Sequence, residues 1–340
     1  MTGTNSDVLY PLLFQPVLKD YIWGGRNLSR LLGRELPPGK DIAESWEIAA
    51  HDNGDVTVIN GPLTGKTLSE LSREMGEALI GTRGAWALVR HKFPLLIKLL
   101  DANRKLSVQV HPDDDYAKAH EGNELGKTEM WVILHAEEGA SLILGVKEET
   151  TPERFRKDAE TGRLENHLHE IPVRTGDFVC VPSGSLHAIL EGLLIAEIQQ
   201  NSDVTYRVYD WNRTGADGQA RPLHLERAME VINFQQIEPG LPDARRVSGE
   251  GDDVQRWELC RNAYFVVERV EMPPTIRFHD VCNGRSLQIW GVVEGSATIE
   301  GGGENVDLPA VRFALLPARL GPYSLMSGSE HTTLLRAFLA

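Results

Sequence analysis

Four side chains able to bind a metal are concentrated in three short motifs of this 340-residue chain. Gln109 and His111 stand two apart in Ser107-Val-Gln-Val-His-Pro112. Glu129 lies in Gly126-Lys-Thr-Glu-Met-Trp131, and His187 closes Pro182-Ser-Gly-Ser-Leu-His187. In a strand, side chains two apart share a face, so Gln109 and His111 can aim at one point. Two imidazoles, a carboxylate and an amide oxygen suit a borderline divalent ion. Zinc, one per chain, is the first expectation, and cobalt, manganese or iron would accept the same donors. Protein ligands that leave a position for water or substrate imply a catalytic site. Either histidine alone reads as well as a core residue, and Glu129 alone as a partner for Lys127; the joint pattern is what points to a metal. An amide oxygen is the weakest donor of the four, so Gln109 reads either as a ligand or as a hydrogen-bonding neighbour of the substrate.

The residues around these donors say how they are positioned. Gly176-Asp177 is a turn signal, and the apolar run 178–181 reads as a strand. Pro182 and Gly184 then bend the chain so that His187 can begin the returning strand. This G-x5-P-x-G-x2-H pattern resembles the second motif of the cupin barrels. The first cupin motif has two histidines and a nearby glutamate. Here Gln109 stands in place of the first histidine, and Glu129 arrives only after 112–122, which reads as a short helix stopped by Gly122.

That departure, with six further segments, resembles the type I mannose-6-phosphate isomerases in their short bacterial form. The segments are Pro11-Leu-Leu-Phe14, Ile22-Trp-Gly-Gly25, Glu44-Ser-Trp-Glu47, Pro94-Leu-Leu-Ile-Lys-Leu-Leu100, Ser107-Val-Gln-Val-His-Pro-Asp-Asp114 and Glu197-Ile-Gln-Gln-Asn-Ser-Asp-Val-Thr-Tyr-Arg207 through Trp211. They cover most of 10–235, and the last 85 or so positions match more weakly. The resemblance implies a metal-dependent aldose–ketose isomerase interconverting mannose 6-phosphate and fructose 6-phosphate through an enediolate, in mannose metabolism. It implies Gln109, His111, Glu129 and His187 as metal ligands and Ser107 and Lys98 at the phosphate. It also implies Arg207, Lys127, Glu197 and Asp203 in the catalytic pocket. Arg207, a permanent cation, can stabilise an oxyanion but cannot act as a base. Lys127, Glu197 and Asp203 are all candidates for moving the proton, each with the alternative of serving only in a salt bridge. Two other functions fit a metal cupin: an iron dioxygenase, and a non-catalytic phosphosugar-binding protein.

Composition narrows the class. A net charge of −14, without a basic stripe, argues against nucleic acid. Binding an anionic sugar then requires local cations; Lys98, Arg104, Lys105 and Arg207 are near the motifs, with Arg104 and Lys105 reading as a solvated turn. No apolar run is long enough to span a bilayer, and the first residues lack the pattern of a signal peptide. Cys180, Cys260 and Cys282 are scattered without C-x-x-C spacing and read as reduced thiols of a cytoplasmic protein. The expected partner is a small phosphosugar, bound by a monomer or weak homo-oligomer.

The chain reads as mainly β with helical insertions, forming two cupin-like jelly-roll barrels. Residues 1–238 would be the catalytic domain, 239–255 a linker rich in turn residues, and 256–340 a degenerate barrel without the histidine pair or glutamate. Helices are expected over 66–80, where Thr67 and Glu70 form a capping box, and over 112–122, 151–160 and 222–232. Buried strands are expected over 94–111, 129–147 and 173–209. Tyr206, Tyr209 and Trp211 are expected either to stack on a sugar or to pack in the core.

Overall fold

A computed structural model describes residues 9–214, 218–249 and 252–340. The first eight residues and part of the expected linker, 250–251, lie outside it. Strands dominate, gathered into several sheets with short helices between them.

Two compact units are formed from interleaved pieces of chain. One contains 18–45 and 98–242; the other contains 1–17, 46–97 and 243–340. The last of the four changeovers lies at 242/243. Residues 46–97, however, group with the C-terminal strands rather than with the metal motifs. Their attachment is explicit. The amides of Thr82 and Arg83 donate to the carbonyls of Gly284 and Arg285, and those of Leu287 and Ala318 donate to Ile80 and Leu79. The helical connection also departs from expectation. It starts at the capping box, where Thr67 accepts from the Glu70 amide and the Glu70 carboxylate accepts from the Thr67 amide, but it is split. Leu68–Met75 ends at Gly76, which takes a positive φ, and Glu77–Ile80 follows as a separate turn. A residue free of Cβ strain is what permits that break.

In the unit that carries the motifs, the expected strand over 94–111 is two strands, Leu95–Ala102 and Val108–Val110. They belong to different sheets. Val108–Val110 lies in a five-stranded sheet between His187–Ile189 and Tyr206–Tyr209, while Leu95–Ala102 and Glu129–Ala136 flank Leu193–Gln200 in a six-stranded sheet. One apolar core draws on both: Leu100, Trp131, Val179 and Ile195 from the larger sheet meet Leu142, Leu144 and Ile189 from the smaller. The pair is thus two sheets packed face to face. The C-terminal strands repeat the plan, with Trp290, Val292 and Leu334 of a six-stranded sheet packed on Ile299, Val306 and Leu325 of a four-stranded one.

The remaining helices follow their caps. Asp113 accepts from the Tyr116 amide at the start of Asp114–His120, and Thr151 caps Pro152–Glu160. Cys282 is a free, buried thiol. Cys180 and Cys260 are both disulfide-bonded, which corrects the reading of three reduced thiols. Among the described residues no helix is long and apolar enough to cross a membrane.

Candidate active site

Strand register brings the donors together. Within the five-stranded sheet His187 pairs directly with Gln109, and Gln109 with Arg207. Glu129 starts its own strand opposite Val181 and Gln199. The bend before His187 is built as the motif demands. Gly184 adopts φ +84°, its amide donates to the His111 carbonyl at 2.8 Å, and a Cβ there would come within 3.0 Å of the Val231 carbonyl oxygen. The loop leading to Glu129 is tied to the segment that directly follows His111. The Lys127 amide donates to the Pro112 carbonyl at 3.0 Å, and that of Gly126 to the Asp114 carboxylate at 2.7 Å.

His111, Glu129 and His187 are all buried, and one donor atom from each lies within 4.8 Å of the others. His187 Nε2 is 3.3 Å from Glu129 Oε1, and His111 Nε2 is 3.6 Å from Glu129 Oε2. Both rings are oriented from behind. His111 Nδ1 faces the Val204 carbonyl at 2.8 Å and His187 Nδ1 faces the Ser185 carbonyl at 2.9 Å. A carbonyl can only accept, so Nδ1 carries the proton and Nε2 offers its lone pair, as metal-binding imidazoles require. Lys127 Nζ, a donor only, sits 3.1 Å from His111 Nε2 and fixes the same tautomer. Burial holds both histidines neutral: it lowers the pKa of His111 and, for His187, pushes it down to about 4. Glu129 Oε2 is buried without a hydrogen-bond acceptor role filled, although Lys127 Nζ lies at 2.8 Å. Two neutral imidazole nitrogens and a carboxylate with an unfilled oxygen are a donor set that fits a divalent ion. Gln109 is at the cluster too, with its amide nitrogen 3.3 Å from His187 Nε2 and its carbonyl oxygen 3.4 Å from Ser107 Oγ.

The cluster adjoins a cavity of about 320 Å³ lined by Lys98, Ser107, Gln109, Lys127, Glu197, Asp203 and Arg207, among others. Every pocket residue expected from the sequence is therefore in one place. Lys98 is fully buried, with Glu44 at 3.4 Å and Glu197 at 3.8 Å. Burial alone would lower its pKa, but the charges of Glu44, Glu197, Asp203 and Glu129 together outweigh burial and raise it. Glu197 also lies 3.9 Å from Lys127. Its carboxyl pKa is raised, by burial first and then by the Glu129 charge. Arg207 donates from Nη1 to the Pro222 carbonyl at 2.9 Å, while its buried Nε has no partner.

The aromatic side chains fall on the packing side of the alternative. Tyr206 and Tyr209 donate to Glu121 and Glu165, and Trp211 donates to the Leu106 carbonyl at 2.6 Å. None of the three lines the cavity; Tyr21 and Trp23 do. Lys105 packs over Trp211 at 4.7 Å and reaches Glu191 at 3.9 Å, as a partly solvated turn residue. The sequence reading missed three site residues. Glu44 stands in a motif that was noted but given no role. Asp210 likewise stands in the quoted 197–211 segment without a role, and Arg221 had no spacing cue, because its proximity to Asp210 depends on the fold.

A buried imidazole–carboxylate donor set beside a cavity rich in charge, in a two-sheet β unit, defines a metal-dependent enzyme of the cupin type. Comparison with known proteins sharpens the class. The family model for the catalytic domain of type I phosphomannose isomerase matches residues 12–138. A probable mannose-6-phosphate isomerase of Bacillus subtilis, GmuF, is 40% identical over 94% of this chain and 98% of its own length. The mannose-6-phosphate isomerase ManA of the same organism is 39% identical over 94% of this chain and 97% of its own. The crystal structure of a Bacillus subtilis mannose 6-phosphate isomerase superposes with a TM-score of 0.84 at 34% identity, covering 96% of this chain and 99% of that one. The chain belongs to the type I mannose-6-phosphate isomerase family.

Proposed function

We infer that this pocket interconverts mannose 6-phosphate and fructose 6-phosphate. The observation that carries the reading is the buried His111–Glu129–His187 cluster in contact with Gln109 and Lys127, which line a cavity that also holds Arg207 and Glu197. Family membership supplies the reaction class, and the cavity supplies charged groups suited to a phosphorylated sugar.

His111, Glu129 and His187 would hold zinc, with Gln109 completing the set once its amide turns its oxygen inward. Amide oxygen and nitrogen are exchanged by a simple flip, which costs the present contact to His187. When bound, the ion supplies Lewis acidity toward the sugar oxygens and so makes the C2 proton of the aldose more acidic. Glu197 is the proposed proton carrier. Its burial raises its basicity, so that it can take the proton from C2 and return it to C1 while a proton passes from O2 to O1. Lys127, 3.9 Å from that carboxylate, and Asp203 in the cavity wall orient the hydroxyls. Arg207 steadies the negative charge that develops on the enediolate; its unpartnered Nε is a donor with capacity to do so. Ser107 contacts the phosphate. A substrate of this kind is made and used in the cytoplasm, where the protein would act on it as a monomer or weak homo-oligomer.

A coupled assay for fructose 6-phosphate tests the reading, run before chelation, after chelation and after zinc is restored. Activity should vanish with the metal and return with zinc. A protein carrying one metal per chain that leaves mannose 6-phosphate untouched would refute it.

A further inference from the structure

A buried indole N–H ordinarily finds an acceptor. Trp290, which has no exposed surface, donates to Gln288 Oε1 at 3.3 Å and to the Tyr323 hydroxyl at 3.1 Å, and Trp211 donates to the Leu106 carbonyl. Trp131 is as deeply buried as Trp290, yet its Nε1 has no hydrogen-bond partner among the described residues. A donor left empty inside a protein keeps its full desolvation cost, so a buried one asks for a partner.

The place of Trp131 in the sheet says what that partner is. Strand alternation puts it on the same face as Glu129, two residues earlier. Its direct partners across the sheet are Val179 and Glu197, and partners in register point the same way. The ring meets the His187 imidazole edge to face, with centroids 5.4 Å apart and planes at 71°. Leu100, Val179, Ile189 and Ile195 share its core, and none of those side chains can accept a hydrogen bond. Trp131 is also part of the wall of the cavity, together with Glu197. Glu197 Oε1 is itself buried without a hydrogen bond; Lys98 and Lys127 stand 3.8 and 3.9 Å away, beyond hydrogen-bond reach. One stretch of wall therefore carries an unfilled donor and an unfilled acceptor on adjacent strands. A hydroxyl is the group that can accept from one and donate to the other, and an open-chain sugar presents a row of hydroxyls.

We propose that Trp131 is a substrate contact whose N–H donates to a hydroxyl at the reacting end of the open-chain sugar phosphate, where Glu197 moves the proton. This deepens the reading above and rests on it. An indole can only donate, so it selects an oxygen at that point of the wall. An epimer whose hydroxyl points elsewhere loses the bond and leaves the donor empty, which is how such a contact discriminates among sugars.

Removing the N–H while keeping the ring separates this role from packing. Benzothienylalanine in place of Trp131 keeps the shape of the indole and has sulfur where the N–H was; Trp131→Phe is the simpler variant. Both are prepared zinc-loaded, with metal content and melting temperature recorded. Steady-state kinetics on mannose 6-phosphate should show kcat/KM lowered by about 10- to 100-fold in each. Calorimetric titration uses mannitol 6-phosphate, an open-chain analogue that cannot isomerise, and its 1-, 2- and 3-deoxy forms. Mannitol 6-phosphate should bind the benzothienyl protein about 10-fold more weakly than wild type. One deoxy form should bind both proteins alike, because the contacted hydroxyl is already gone. Should Trp131→Phe fold poorly, the isostere carries the comparison. Unchanged kcat/KM and affinity in the isostere would overturn the proposal. So would an equal loss for every deoxy form, which marks a packing role behind His187. A hydroxyl-specific loss of affinity, in a protein whose wild type leaves mannose 6-phosphate untouched, would uphold the contact and sink the reaction.

Discussion

Each unit of this chain contains a cluster of buried polar side chains, and the two clusters differ in what they leave unfilled. In the C-terminal strands Tyr323 donates to Gln288 at 2.6 Å, Trp290 donates to Tyr323 at 3.1 Å, and Arg336 donates to Gln288 at 3.1 Å and to Asp280. Glu268 Oε2, which like Glu129 Oε2 accepts no hydrogen bond, lies between two cations, 3.5 Å from Arg336 and 3.7 Å from Arg256. The network points into itself. In the other unit the rear of each histidine is satisfied by a backbone carbonyl, but the Nε2 atoms and Glu129 Oε2 converge on one point beside a cavity. Both clusters pay the desolvation penalty of buried polar groups. Only the second leaves electron pairs aimed where a ligand can use them. Polar burial alone does not mark a site; an incomplete set of partners facing a cavity does.

Substitutions in the two clusters should therefore fail in opposite ways. The largest effect is expected at the metal cluster. His187→Ala should remove bound metal, read by elemental analysis, and lower kcat/KM roughly 1000-fold or more, while the protein still unfolds cooperatively. Arg207→Ala should keep metal and fold but cut kcat by roughly 100- to 1000-fold, the scale for losing a donor to a developing oxyanion. Arg336→Met should do the reverse. It takes one cation from Glu268 and from Asp280, leaving Arg256 and the Tyr323 hydroxyl as their remaining partners, so stability should fall by about 3 kcal/mol in urea titration. Turnover of the fraction that remains folded should be close to wild type. If that variant proves folded but inactive, the contrast between the clusters is wrong.

The smallest effect concerns pH. His187 has a folded-state pKa near 4, below the usual histidine value, because its charged form is excluded by burial. The unfolded chain thus binds a proton that the folded chain does not over roughly pH 6.5 to 4. Stability of the metal-free protein is fully present above that window and should decline as pH falls through it. A thermal melt series on metal-free His187→Gln should show a shallower decline than wild type; identical slopes would remove His187 from the account.

Much of the site was legible in the sequence because its residues are marked by local chemistry. Pro182 and Gly184 announce the bend before His187, the two-residue step relates Gln109 to His111, and Thr67 with Glu70 announces a helix start. Gly76 shows the limit of such reading: a glycine within an amphipathic pattern can be absorbed or can break the helix, and here it breaks it. The grouping of 46–97 with the C-terminal strands had no local mark, since it depends on backbone pairing with residues two hundred positions away.

The sequence by itself determined the donor types, their place on strands and bends, and the family to which they belong. These follow from side-chain chemistry and from backbone preferences that act over a few residues. Only the tertiary structure decided which carboxylates each cation serves. Lys98 and Arg221 are both simply basic residues in the sequence. Burial between Glu44 and Glu197 commits the first, and the fork to Asp210 holds the second in the cavity wall. Charge is fixed by residue type, but the work a charge can do is set by its neighbours and by how far water is excluded, and those are properties of the folded chain.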